Sequence, residues 1–393
     1  MEERRLKIAY LIPGGIFSPG GTDRVTISKA NFLSEKMGYD ISIVTTEQLG
    51  RPVFFPLSEK VHLFHLDIGI HANFGKESYL QKCISRFFKI NQYKRELKKL
   101  LKEKRPDITV SLLGLDIGFL DKMDDGSIKL GELHFPGNFR QLMGKKMYKN
   151  AFIPNLVEKI RTKELKRKCG KLTRLIVLTQ EERASWKNRN NVEVIPNPIS
   201  FIPEEISSCK SKRAIAVGRL AYEKGFDQLI EIWKTVYEKH PDWELFIFGG
   251  GDQKEKLQEL ILQSGLSDAV KIYEPVKDIH AQFLKSSMML FPSRYLEALP
   301  MVLLEAMSCG LPLVAFDAPC GPKDIITDGE NGFLIQSGDI DTFSHKVCQL
   351  IESEELRKNM GKQARKASFD YSEDKIMQQW VDLFQSLIND KNQ

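Results

Sequence analysis

A chain of 393 residues, 42% hydrophobic and 28% charged, is long enough for two domains that each bury a core, and its composition excludes intrinsic disorder. Six cysteines (Cys83, Cys169, Cys209, Cys309, Cys320 and Cys348) are scattered without CxxC spacing, which argues against a disulfide framework or a structural zinc site and leaves free, mostly buried thiols. The net charge of +6 conceals unlike halves: residues 1–200 carry 36 Lys and Arg against 22 Asp and Glu, a net +14, and residues 201–393 a net −8, so the halves are expected to meet different partners.

The apolar run Ile8–Ile12 leads into Pro13-Gly14-Gly15. It reads as a buried first strand, too short for a signal peptide or a membrane span, and places the product in the cytoplasm. The loop from Pro13 to Thr22 ends at a helix N-terminus, with Gly20 and Gly21 free to adopt positive φ; it lacks GxGxxG spacing, which counts against a dinucleotide dehydrogenase. Short β-branched runs then alternate with longer amphipathic stretches, the pattern of a parallel sheet wrapped by helices. Strands are predicted at 6–12, 41–45, 61–64, 108–112, 128–134, 175–178 and 192–195.

Two basic segments interrupt this half. Lys76–Arg105 holds 11 basic and 3 acidic residues and Arg140–Arg174 holds 12 and 2, with apolar residues such as Ile84, Phe87, Phe88, Phe152 and Leu156 interleaved. Basic helices with an apolar stripe suit an anionic membrane surface. Solvated faces of helices packed on their own domain are the alternative. Nucleic acid is disfavoured because no recognised binding motif accompanies the charge. His134 ends a strand before Phe135-Pro136-Gly137, which aims it towards a cleft, although a lone histidine is more often structural.

The stretch Ile195–Pro203 contains three prolines in nine residues and reads as a hinge, dividing a first domain, 1–197, from a second, 198–372. Strands follow at 213–217, 244–248, 269–272, 288–291 and 313–315, with a short one near 333–335. At the carboxyl ends of such strands a parallel sheet binds its ligands. Gly218 ends one strand, Arg219 follows and Lys224 precedes the next helix, so two cations can converge on one diphosphate. Phe248-Gly-Gly-Gly-Asp252 lets the backbone at Gly250 approach a ligand closely. In Ser293–Ala315, Pro300 suits the first helical position and Gly310 the stop, which puts Glu297 on a loop and Glu305 inside an apolar helix whose backbone N–H groups start the next turn. A ribose diol would satisfy such a carboxylate. The pair Asp339 and Asp341 precedes a helix and is explained by N-terminal capping, so no metal site is assigned.

The segment Glu297-Ala-Leu-Pro-Met-Val-Leu-Leu-Glu305, a Glu on each side of seven residues, resembles the retaining glycosyltransferases of family 4, and the resemblance extends over most of the chain. It implies an α/β protein of the GT-B fold: two Rossmann-like parallel-sheet domains facing across a cleft, the final helix, about 373–393, returning to the first domain. It also implies transfer of a hexosyl or N-acetylhexosaminyl group from a nucleotide-sugar, a UDP-sugar ahead of GDP-mannose, with no cofactor or metal. Arg219 and Lys224 would hold the diphosphate, Glu305 the ribose, and Glu297 with the amides near Leu299, Met301 and Val302 the sugar. His134 would meet the sugar near its reacting carbon. Gly218 and Gly250 would lie against the donor, Val276 near the base, and the Gly20-Gly21 loop between phosphate and acceptor. The acceptor implied is a saccharide of the lipid-linked kind used in bacterial surface-polysaccharide assembly, met at the inner membrane face; nucleic acid is not a partner. Ala298 departs from the family's frequent glycine and narrows the space beside the sugar. Two rivals stand: a GT-B nucleotide-sugar epimerase, which needs protein acid and base groups, and a non-catalytic basic scaffold for membrane or nucleic acid. Oligomeric state is left open.

Overall fold

The computed structural model describes residues 5–18, 20–69, 79–139, 152–187, 189–199, 201–295, 297–319 and 321–392. The chain forms two units, one of Met1–Leu178, Arg183–Ile195 and Met377–Gln393, the other of Thr179–Glu182 and Pro196–Ile376. Each is built on a wholly parallel sheet wrapped by helices, the two Rossmann-like layers that the alternating pattern predicts.

In the first unit the strands are β1 (Lys7–Ile12), β2 (Asp40–Thr45), β3 (His62–His65), β4 (Ile108–Ser111), β5 (Ile128–Leu133), β6 (Arg174–Val177) and β7 (Val192–Val194), in the order β3-β2-β1-β4-β5-β6-β7. β1 is central: Ile8 pairs with Ile41 on one side and Ile108 on the other. Strands buried on both faces read as continuous apolar runs, which is why this sheet was visible in the sequence. One face is covered by the helices Tyr79–Lys104 and Phe152–Cys169, whose Tyr93, Leu97, Leu101 and Cys169 join one cluster with Leu172 and Leu175. The helix Gly21–Glu35 follows β1 and buries Ile27, Lys29, Ala30 and Leu33. The helix Glu373–Asn392 buries Met377, Trp380, Phe384 and Leu387, an apolar stripe at helical spacing.

In the second unit, β8 (Arg213–Val217), β9 (Glu244–Phe248), β10 (Val270–Tyr273), β11 (Met288–Phe291), β12 (Leu313–Phe316) and β13 (Gly332–Ile335) take the order β10-β9-β8-β11-β12-β13. Trp233, Met288, Leu290, Phe316 and Phe343 anchor its core. Chain order reverses between β8 and β11, and at such a switch point the loops leaving the two strands diverge and open a crevice at their carboxyl ends.

Two local expectations are corrected. Gly20 has φ −67 and Gly21 is the first residue of its helix, so neither is at positive φ; in that loop the left-handed residue is Gly14, at φ +87. Pro300 is the N-cap of the helix Met301–Ser308, one residue ahead of the expected first helical position. Asp339 does cap its helix, accepting from the Thr342 N–H at 3.0 Å. Cys169, Cys209, Cys309 and Cys348 are buried free thiols; the side chain of Cys83 and all of Cys320 lie outside the described residues.

Candidate active site

The crevice between β8 and β11 gathers the second-unit candidates. Because β9, β8 and β11 are neighbours, the loops that leave their carboxyl ends are neighbours too, and backbone bonds tie them together. The Leu220 N–H donates to Gly250 O (2.9 Å), the Gln253 N–H to Leu220 O (3.0 Å) and the Arg294 N–H to Glu223 O (2.9 Å). Glycine is obligatory at the crossings. A Cβ on Gly249 would stand 1.9 Å from Gly218 O, and one on Gly225, at φ +69, 2.0 Å from Pro292 O. Gly250 differs: its nearest neighbour would be Pro275 at 3.7 Å, which leaves its backbone approachable and sets it beside the exposed Val276.

On this frame Lys224 Nζ donates to Glu297 Oε1 at 2.6 Å, and Ser293 Oγ lies 2.5 Å from the same oxygen. Glu297 is buried, whereas Lys224 keeps 23% of its side chain exposed at the rim. Arg219 reaches the carboxylate of buried Glu223, four residues on, with 67% of its own side chain exposed, so guanidinium N–H groups stay presented to solvent. Arg294 forks onto Asp227 through two bonds of 2.7 and 2.8 Å. Burial raises the Asp227 carboxyl, but that fork outweighs it and holds the group below the usual carboxylate range. Sequence reasoning missed Glu223 and Ser293; the Arg219–Glu223 spacing of four was the available signal for the first.

Glu305 lies inside the helix Met301–Ser308 with 7% of its surface exposed. Leu299 is buried just before that helix, and Met301 and Val302 form its half-buried first turn, where N–H groups have no carbonyl four residues back. The site therefore offers two cations, two carboxylates and a helix start around one crevice, suited to an anion flanked by hydroxyl-rich groups.

The remaining candidates belong to the first unit. Gly21 would carry a Cβ with nothing within 4 Å, and a Cβ on Gly20 would meet Ser18 Oγ at 3.1 Å. His134 directly follows β5; its imidazole is almost fully covered, with Nε2 2.9 Å from Glu132 Oε1. Glu132 also pairs with the buried ammonium of Lys29, which sits 4.1 Å from the ring centre of Trp380. Burial pushes the Glu132 carboxyl up, but Lys29 and His134 outweigh it and hold it at about 2. Among the described residues no group of three or more His, Cys, Asp or Glu is arranged to hold a metal ion.

The Glycosyl transferases group 1 family profile matches residues 201–367, the span that contains the whole β8–β11 crevice. Over 378 residues the chain is 30% identical to an uncharacterized glycosyltransferase of Haemophilus influenzae, covering 95% of this chain and 98% of that one. It is 31% identical to the amylovoran biosynthesis glycosyltransferase AmsD of Erwinia amylovora, with 96% and 99% covered. The fold matches TarM of S. aureus, crystallised with Fondaparinux, alpha-GlcNAc-glycerol and UDP, at a TM-score of 0.74 and 17% identity over 96% of this chain and 100% of that one. The chain belongs to the group 1 glycosyl transferases.

Proposed function

We propose that the enzyme is a retaining, metal-independent hexosyl- or N-acetylhexosaminyltransferase of family 4 that moves a sugar from a nucleotide-sugar, a UDP-sugar ahead of GDP-mannose, to the hydroxyl of a lipid-linked saccharide in cell-surface polysaccharide synthesis. The observation that carries this reading is the pair of loops that leave β8 and β11, where Arg219 pairs with Glu223, Lys224 with Glu297, and the helix that bears Glu305 starts four residues after Glu297. Arg219 and Lys224 take the diphosphate and stabilise the charge it gains on leaving. Glu305 accepts from the ribose hydroxyls. Glu297, fixed by Lys224 and Ser293, orients the sugar with the first-turn amides of Met301 and Val302, and Gly218 and Gly250 let the backbone close on the donor. Val276 lies near the base.

By the family resemblance, the acceptor oxygen attacks the anomeric carbon on the face that the diphosphate leaves: the carbon–oxygen bond to phosphate breaks, the glycosidic bond forms, and a phosphate oxygen takes the acceptor proton. His134 and the Gly20-Gly21 loop contribute from the first unit, which carries the acceptor. The UDP preference draws support from the UDP in the TarM complex, and the polysaccharide assignment from the amylovoran enzyme. The test is incubation with UDP-, GDP- and ADP-sugars and a saccharide acceptor, with and without a chelator. Nucleotide should be released chiefly from UDP-sugars, and equally with EDTA; release from none of them, or only with added divalent metal, overturns the reading.

A further inference from the structure

The two basic helices of the first unit carry apolar side chains on the wrong face for a core. In Tyr79–Lys104 the buried side is set by Tyr93, Leu97 and Leu101. At 100° per residue, Ile84 and Phe88 fall on the opposite side and Phe87 on the flank, and the three are exposed to 50%, 66% and 64% in that order. Further along that outer face come Arg95, Lys98 and Lys102, all exposed. The helix Phe152–Cys169 repeats the design. Thr162 and Cys169 face inward, while Leu156, Val157 and Ile160 face out, with Ile160 58% exposed and Lys163 and Arg167 following.

Topology puts the two apolar patches at one rim. The helices are the crossovers from β3 to β4 and from β5 to β6, both running in the same direction across a parallel sheet, so right-handed crossovers place them on the same face, and both pack on the turn Leu115–Gly118. Each helix runs antiparallel to the strands, so its first turns, where the apolar residues lie, reach the carboxyl edge of the sheet, the edge at which β5 ends beside His134. Scattered exposed apolar residues need no explanation, but here two triplets lie on helices that cover the same face of one sheet, and each is followed by a basic stripe. Among the described residues no helix is long and apolar enough to cross a membrane.

We infer that this rim docks on the surface of an anionic phospholipid bilayer: Phe87, Phe88 and Ile160 enter the headgroup–acyl boundary, and the basic stripes behind them meet the lipid phosphates. Charge complementarity selects the occupant, since the helix Tyr79–Lys104 keeps only Glu96 and Glu103 among its many lysines and arginines. The inference rests on the helix surfaces and stands apart from the transfer reading.

Co-sedimentation of the full chain, without donor, with phosphatidylcholine vesicles and with phosphatidylcholine–phosphatidylglycerol vesicles tests it. Binding is expected to the anionic vesicles alone, weakening as salt rises. The double variant Phe87→Ser/Phe88→Ser should bind about tenfold less tightly or worse, while still releasing nucleotide from soluble donor. A Phe87→Trp variant should shift its fluorescence to the blue on binding. Three outcomes overturn the inference: wild type that ignores anionic vesicles, equal binding by wild type and the serine variant, or a self-associated wild type that the serine changes convert to monomer without any vesicle binding.

Discussion

Lys224 and Glu297 neutralise each other at the crevice, so the lysine has a structural task besides any contact with diphosphate. Lys224→Ala would leave the buried Glu297 carboxylate with Ser293 alone, at a cost of about 1–3 kcal/mol in stability. The paired change Lys224→Met/Glu297→Gln should recover most of that loss, because no charge is stranded. Arg219→Ala likewise takes the guanidinium from the buried Glu223 carboxylate and should cost a comparable amount, about 1–3 kcal/mol. Both alanine variants should reduce turnover about a hundredfold or more; stability curves beside steady-state rates separate the two tasks. In the first unit, Lys29 is buried with Glu132 as its counter-charge, and Glu132→Gln should cost about 3–5 kcal/mol. The sign of the pH effect follows from the depressed carboxyl of Glu132, held at about 2, well below the ordinary glutamate value, by Lys29 and His134. Its contribution is complete above about pH 4.5 and drains away as pH falls towards about 2. Urea unfolding of wild type and Glu132→Gln across that range should therefore converge at the acid end, and parallel curves would remove Glu132 from the account.

At the level of elements, Gly225→Ala and Gly21→Ala make a matched pair. The first forces a side chain into a left-handed residue and onto Pro292 O, and should cost about 2–4 kcal/mol and displace Lys224. The second places a methyl in open space at a helix N-terminus, and should raise stability by about 0.5–1 kcal/mol. If the Gly21 backbone lies against substrate, Gly21→Ala will also lower kcat/KM in a protein that melts no earlier, which thermal melts and kinetics together will show. The strands were legible because short apolar runs such as Arg213–Val217, Glu244–Phe248 and Met288–Phe291 are largely buried and bounded by turn residues; these three have the expected bounds. Strand order was not legible, since crossovers of similar length leave the neighbours of β1 and β8 open. The Glu297 and Glu305 spacing marked candidates, but the pairing of Glu223 depends on the turn that folds it under Arg219, and the conformation of Gly20 on a helix beginning one residue later. Phe87 and Phe88 could be read as apolar within a basic segment, yet which side of the helix they occupy depends on what Tyr93 and Leu97 bury.

On the scale of the molecule, the second unit is the continuous segment Pro196–Ile376 with the short piece Thr179–Glu182, and the helix Glu373–Asn392 supplies Trp380 and Phe384 to the first. Trp380→Ala should cost about 3–5 kcal/mol through the cavity it leaves. It should also strip the ring from over Lys29. Removing residues 377–393 should therefore unfold the first unit while the second, whose core residues all lie between Ala214 and Met360, keeps its own cooperative melt. Calorimetry of the truncated chain checks this, and loss of both transitions would show that the units do not melt independently.

That threading also sets an order of events during synthesis. A ribosome adds about 5–20 residues per second and domains commonly fold as they emerge, the earliest first. Here the segment 1–195 appears first but lacks the aromatic helix that covers Lys29, while the later segment 196–376 contains everything its own sheet needs. The second unit should therefore mature ahead of the first, and a chain released from the ribosome at Ile376 should hold a folded second unit joined to an N-terminal segment that still exposes apolar surface to chaperones.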